Sequence, residues 1–247
     1  MIPKTIHYCW LSGDPYPELI KKCIDSWKIH IPDYQFVLWD RKKADDINSE
    51  WLKQTIESKK YAFAADFIRI YALSHYGGVY LDADVELVAS LDPFLGHNFF
   101  IGVEYNNDLE PAVFGAVPGH PWLSDLLNYY RERSFIKSNG TFDVRPLPNM
   151  FNETAAVGFG FKSNGKMQFI NNEGIAIYPC DYFSPKNIYS KKINSTKNTV
   201  AIHHFDSNWF QINRKHILKQ GIHRLLFRLG GKSFHNQFIQ IIRRINK

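Results

Sequence analysis

The chain has little cysteine, no long apolar run and, over residues 207–247, no negative charge. Its three cysteines, Cys9, Cys23 and Cys180, are an odd number without metal-ligand spacing. They exclude a disulfide framework and predict reduced thiols. No apolar run reaches the ~18 residues of a membrane span, so no transmembrane helix is expected. The first residues lack the charged and apolar regions of a signal peptide, so a cytoplasmic location is expected. In that compartment the Asn-x-Ser/Thr matches at Asn139 and Asn152 carry no meaning. There is no internal repeat and no low-complexity segment.

What is present is a 247-residue chain that is 45% hydrophobic and 15% aromatic, enough for one large domain with a sizeable core. The net charge of +6 is unevenly spread. Residues 207–247 carry nine Lys or Arg, which leaves 21 basic against 24 acidic side chains in the rest, a net of −3. This predicts a near-neutral domain over residues 1–210 and a basic tail over 211–247.

The chain is organised around residues 61–86, YAFAADFIRIYALSHYGGVYLDADVE. Phe63, Phe67, Ile70 and Leu73 recur at helical steps, and Asp66 and Arg69 project from neighbouring points of one face. Gly77 and Gly78 stop the helix. Val79, Tyr80 and Leu81 then read as a buried strand that ends in Asp82 and Asp84. If strand geometry persists, both carboxylates point to one side. A nucleoside diphosphate leaves only if a cation absorbs the charge that develops on it. Hard divalent ions take carboxylate oxygens together with substrate phosphates. A lone D-x-D is weak evidence for such a site. Helix, Gly-Gly, apolar strand and D-x-D together are much more specific.

Elsewhere, residues 5–10 and 34–39 read as strands around a helix at 18–30, a βαβ unit that predicts a parallel sheet. Ser49 reads as the N-cap of a helix to residue 57. Strands are expected at 99–104, 112–117, 175–179 and 199–203, and a helix at 121–133. Residues 134–170 read as loop-rich, with Pro146, Pro148 and several glycines. Residues 211–247 suggest two basic amphipathic helices split at Gly230 and Gly231. They either lie on an anionic membrane surface or dock on the domain. They lack a nucleic-acid-binding motif, so no nucleic-acid partner is expected.

The stretch AADFIRIYALSHYGGVYLDADV resembles the signature of glycosyltransferase family 32, the DXD-containing sugar-binding group, and IPKTIHYCWLSG at residues 2–13 is similar to that family's opening strand. The resemblance implies a GT-A-like α/β fold, with a single Rossmann-like, mainly parallel sheet and helices on both faces. It implies a metal-dependent hexosyltransferase using Mn²⁺ or Mg²⁺. The donor would be a nucleoside diphosphate sugar, UDP-linked for preference. The acceptor would be a glycan or lipid-linked glycan hydroxyl in capsule or lipopolysaccharide synthesis, with retention of configuration. A binding scaffold or a nucleotide-sugar hydrolase is the alternative.

The residue roles follow from the same resemblance. Trp10 is implied to stack on the base, against its reading as a core tryptophan. Asp66, Arg69 and Tyr80 belong with the donor, against an ordinary surface ion pair for the first two. Asp82 is implied to touch ribose or sugar, and Asp84 to hold the metal. In HHFDSNW, residues 203–209, His204 and Ser207 fall at metal-binding positions and Trp209 where an indole donates to the leaving phosphate. Spacing alone favours His204 over His203. Asn149, Asn152 and Glu153 are candidates for the acceptor side, against an ordinary polar loop.

Overall fold

A computed structural model of the chain describes residues 1–131, 133–170 and 173–206. The elements in order are β1 (Thr5–Cys9), α1 (Glu18–His30), β2 (Gln35–Trp39), α2 (Arg41–Asp45), α3 (Glu50–Glu57), α4 (Tyr61–Tyr76), β3 (Gly78–Leu81) and β4 (Val85–Leu87). There follow β5 (Phe99–Val103), β6 (Leu109–Ala116), α5 (Pro121–Arg131), α6 (Leu147–Phe159), β7 (Gln168–Ile170), β8 (Ile175–Tyr178), α7 (Cys180–Phe183) and β9 (Ala201–His203).

Among the described residues, seven strands form one sheet in the order β2-β1-β3-β6-β5-β8-β7, and β4 pairs with β9 in a separate ribbon. Strands β1, β2, β3, β5 and β8 run one way, and β6 and β7 run against them. The sheet is therefore mainly parallel, as expected. Strand β6 reverses because only a short turn joins it to β5, and Asn107 takes a left-handed conformation there (φ +66°).

The period-two alternation of the strands builds two cores. Tyr80, Phe99, Ile101, Phe114 and Ile177 face Trp51, Ile68, Trp122 and Phe151 on one side. Val79, Leu81, Phe100, Val113 and Ala176 face Trp27, Phe94 and Phe183 on the other. Helices α3 to α6 thus cover one face, and α1 and α7 the other.

Two local signals hold. Ser49 Oγ accepts the Leu52 amide at 3.3 Å and caps α3. Gly77 (φ +63°) and Gly78 (φ +102°) let α4 turn at once into β3. A Cβ on Gly78 would stand 2.6 Å from the Thr5 carbonyl oxygen, so the close pairing with β1 also needs the missing side chain.

One expectation is extended and one corrected. The loop-rich stretch 134–170 also holds the unforeseen α6 and β7. Pro146 and Pro148 suggested irregular chain, but prolines are accommodated at a helix start, where the missing N–H has no partner to lose. The strand also does not persist through the D-x-D. β3 ends at Leu81, and residues 82–85 form a turn in which the Val85 amide donates to the Asp82 carbonyl at 3.0 Å. Residues 211–247, for which two helices were expected, lie outside the described residues, as do the boundary at 210, Ser207 and Trp209.

Candidate active site

The site forms where β1, β3 and β9 end against α4. Alternation along β3 puts Tyr80 on the α4 face, and Asp82 follows two residues on. Tyr80 is buried, and its hydroxyl donates to Asp82 Oδ1 at 3.1 Å. From α4, Arg69 reaches across the Tyr80 ring, with the guanidinium carbon 4.7 Å from the ring centre. Arg69 lies 3.1 Å from Asp82 Oδ1 and 3.2 Å from Asp66 Oδ1, and it donates to the Pro111 carbonyl at 2.8 Å. Asp66 and Arg69 are therefore not a surface pair. Arg69 is only 8% exposed, and both line the cleft with Tyr61 and Ala65.

Burial raises the Asp82 pKa from its ordinary 3.8 to about 6, against the opposing pull of Arg69. Burial likewise raises that of Asp66, again against Arg69. A carboxylate so desolvated is poised to accept polar hydrogens from a bound ligand.

Asp84 is brought in by the turn and held by β9. The β4–β9 ribbon sets Val85 opposite His203. The Asp206 amide donates to Asp84 Oδ2 at 2.7 Å, and the His204 amide to the Asp84 carbonyl at 3.1 Å. The ribbon is anchored from behind by Trp27 of α1, whose indole donates to the Val85 carbonyl at 2.7 Å.

His203 faces the cleft. Its Nε2 lies 3.4 Å from Asp84 Oδ1 and its Nδ1 3.1 Å from Glu110 Oε1. The latter contact is out of line for a hydrogen bond, which leaves a buried Nδ1 unsatisfied. Burial opposes a charged imidazole here, but Glu110 and Asp84 outweigh it and raise the His203 pKa well above its ordinary value. For Asp84, burial is overcome by His203 and the Asp206 amide, and its pKa falls.

One ligand atom from each of Asp82, Glu110 and His203 lies within 4.8 Å of the others. Of these, Asp82 and His203 line the cleft together with Asp84, and their carboxylate oxygens and imidazole nitrogen would suit Mn²⁺ or Mg²⁺. A divalent ion would also relieve the crowding of carboxylates.

The residues expected from sequence separate as follows. Tyr80, Asp82, Asp84, Asp66 and Arg69 share one cleft. His204, expected as a metal ligand, lies one residue past the end of β9 and does not line the cleft. Its Nε2 lies 2.9 Å from Glu86 Oε2, and Lys22 holds the same carboxylate at 2.9 Å. Trp10 is half-buried and does not line the cleft, although Cys9 and Leu11 on either side of it do. Its indole donates to the Asp14 carbonyl at 2.7 Å, and its ring packs edge-on against Tyr16. Asn149, Asn152 and Glu153 lie on α6 rather than in a loop, and none lines the cleft. Asn152 accepts the Leu109 amide at 3.0 Å, and Glu153 pairs with Arg145. Nothing in the sequence marks Glu110. It sits in a polar stretch before Pro111, and nothing in its spacing ties it to residues 82 or 203.

The fold and this cleft define an α/β protein with a mainly parallel sheet and a D-x-D turn at the ends of its strands. Similarity to known proteins narrows that class. Residues 17–101 match the family described as glycosyltransferase sugar-binding region containing DXD motif, so the resemblance drawn from residues 61–86 stands. Mannosyl phosphorylinositol ceramide synthase CSH1 of Saccharomyces cerevisiae is 34% identical over 146 residues, covering 55% of this chain and 38% of that protein. Uncharacterized glycosyltransferase L373 of Acanthamoeba polyphaga mimivirus is 26% identical, covering 78% and 76%. Among solved structures, PaToxG glycosyltransferase aligns at 20% identity with a TM-score of 0.48, covering 64% of this chain and 70% of that one. The chain spans less than half the length of the yeast relatives it matches. Those relatives are named for inositol phosphoceramide mannosylation, not for capsule or lipopolysaccharide synthesis.

Proposed function

We propose that this chain transfers a hexose from a nucleoside diphosphate sugar to a hydroxyl of a lipid-linked acceptor, with retention of configuration. The observation that carries the reading is the D-x-D turn closed by His203, opposite an arginine that bridges Asp66 and Asp82. A divalent cation held by Asp84 and His203, with Asp82 beside them, would neutralise the diphosphate as it departs. Asp66 and Asp82 accept from sugar or ribose hydroxyls. Arg69 is buried and shared between the two, so it fixes their positions and places positive charge beside the anomeric centre. Trp10 serves the nucleotide base by turning from its present hydrogen bond, and Ser207 and Trp209 serve the leaving diphosphate.

The lipid acceptor replaces the capsule glycan expected from sequence because the yeast relatives are named for a ceramide-based lipid. The excess of basic residues over 207–247 favours work at an anionic membrane surface, on its cytoplasmic side. The first test is thermal unfolding of the full chain with UDP, GDP, CDP or dTDP, each in Mn²⁺ and in EDTA. One nucleotide should raise Tm in Mn²⁺ only, because a ligand bound to the native state alone stabilises it. Equal shifts in EDTA would overturn the metal role, and no shift with any of the four would overturn nucleotide use. Incubation with the identified donor and an inositol phosphoceramide should then yield glycosylated lipid rather than free sugar.

A further inference from the structure

The geometry points to Glu110 as a positioning residue that sets the His203 imidazole toward Asp84, with Ser184 holding the carboxylate in place. This rests on the metal-site reading above. Ser184 follows α7 directly and is only 2% exposed. Its hydroxyl donates to Glu110 Oε2 at 2.6 Å, which leaves Oε1 for the imidazole, 3.1 Å from Nδ1. The other ring nitrogen, Nε2, is the one that faces Asp84.

Glu110 is 11% exposed and is not among the residues lining the cleft, whereas His203, Asp82 and Asp84 are. It stands behind the imidazole as seen from the cleft. A carboxylate on the far nitrogen of a ligating histidine fixes the ring's tautomer and raises its basicity. The Nδ1–Oε1 contact is short but out of line, so a small rotation of the ring, as Nε2 takes up an ion, completes it. The chain from Ser184 through Glu110 to His203 joins α7, β6 and β9. Three separate pieces of sequence thus aim one nitrogen.

The experiment is Mn²⁺ binding to the full chain, read by electron paramagnetic resonance of free and bound ion, with nitrogen coupling to the bound ion as the signature of His203. Glu110→Ala should weaken Mn²⁺ about 10- to 100-fold and diminish that coupling. Glu110→Gln keeps an oxygen for Nδ1 and should recover most of both. Ser184→Ala, which leaves every cleft residue in place, should give a smaller loss of the same kind. Thermal melting in EDTA confirms that each variant is folded.

Equal loss in Glu110→Gln and Glu110→Ala with the nitrogen coupling intact would make Glu110 itself a ligand and overturn the positioning role. Wild-type affinity in Glu110→Ala would overturn it too, while leaving the metal site standing. Absence of nitrogen-coupled Mn²⁺ in the unaltered protein would overturn the His203 site and this inference with it.

Discussion

Asp82 and Asp84 are two residues apart in one turn, yet they have opposite environments. Asp82 sits against α4, gripped by Arg69 and Tyr80, and burial lifts its pKa to about 6. Asp84 sits against β9, held by His203 and the Asp206 amide, and its pKa falls. The D-x-D is thus not a pair of equivalent carboxylates. One half belongs to a desolvated network suited to hydroxyl recognition. The other is kept ionised and suited to a cation. The difference arises because α4 approaches the turn from one side and β9 from the other.

The largest effect should come from the Asp84 half. Asp84→Ala should cut glycosyl transfer at least ~100-fold and abolish the EDTA-sensitive part of nucleotide binding, since a cation at the departing diphosphate supplies much of the transition-state stabilisation. Wild-type transfer in that variant would break the distinction.

On the Asp82 half, Arg69→Ala should cost about 1–3 kcal/mol of stability, because it leaves two partly buried carboxylates without their partner. Thermal or urea unfolding in EDTA measures it. A loss confined to activity would show that the network is not structural.

The third test separates the two histidines. His204→Ala should lower stability by about 1 kcal/mol through its lost bond to Glu86 and leave Mn²⁺ affinity unchanged. Loss of Mn²⁺ binding there would return His204 to the ligand role that spacing favours.

The last test is of pH dependence. Asp82 titrates at 3.8 ordinarily and at about 6 when folded, so the native state binds more protons between those values. Its contribution therefore falls as pH rises from 3.8 to 6, and Asp82→Asn should flatten stability over that window in EDTA. Asp84 has the opposite sign. Its contribution is present above 3.8 and is lost as pH falls through its lowered pKa.

Much of this was legible in the chain. Helical steps from Phe63 to Leu73 marked α4, and its extent follows from Gly77 and Gly78. Glu18–His30 is a helix with the bounds its pattern predicts. The α6 helix was hidden because Pro146, Pro148 and three glycines between residues 158 and 165 read as breakers, although they fall at or beyond its ends. The choice between His203 and His204 was hidden because a His-His pair has no phase until the strand's register is known, and that register depends on β4, over a hundred residues earlier.

By itself the sequence determined the local chemistry: a helix with an apolar stripe, a glycine stop, a buried strand and two carboxylates at its end. These rest on backbone preference and side-chain periodicity, which act over a few residues. Tertiary structure alone decided which aspartate is desolvated, which histidine enters the cleft, and that Glu110 and Ser184 stand behind it. Those outcomes depend on burial and charge within a few ångströms, among residues up to 122 positions apart in sequence (Asp84 and Asp206).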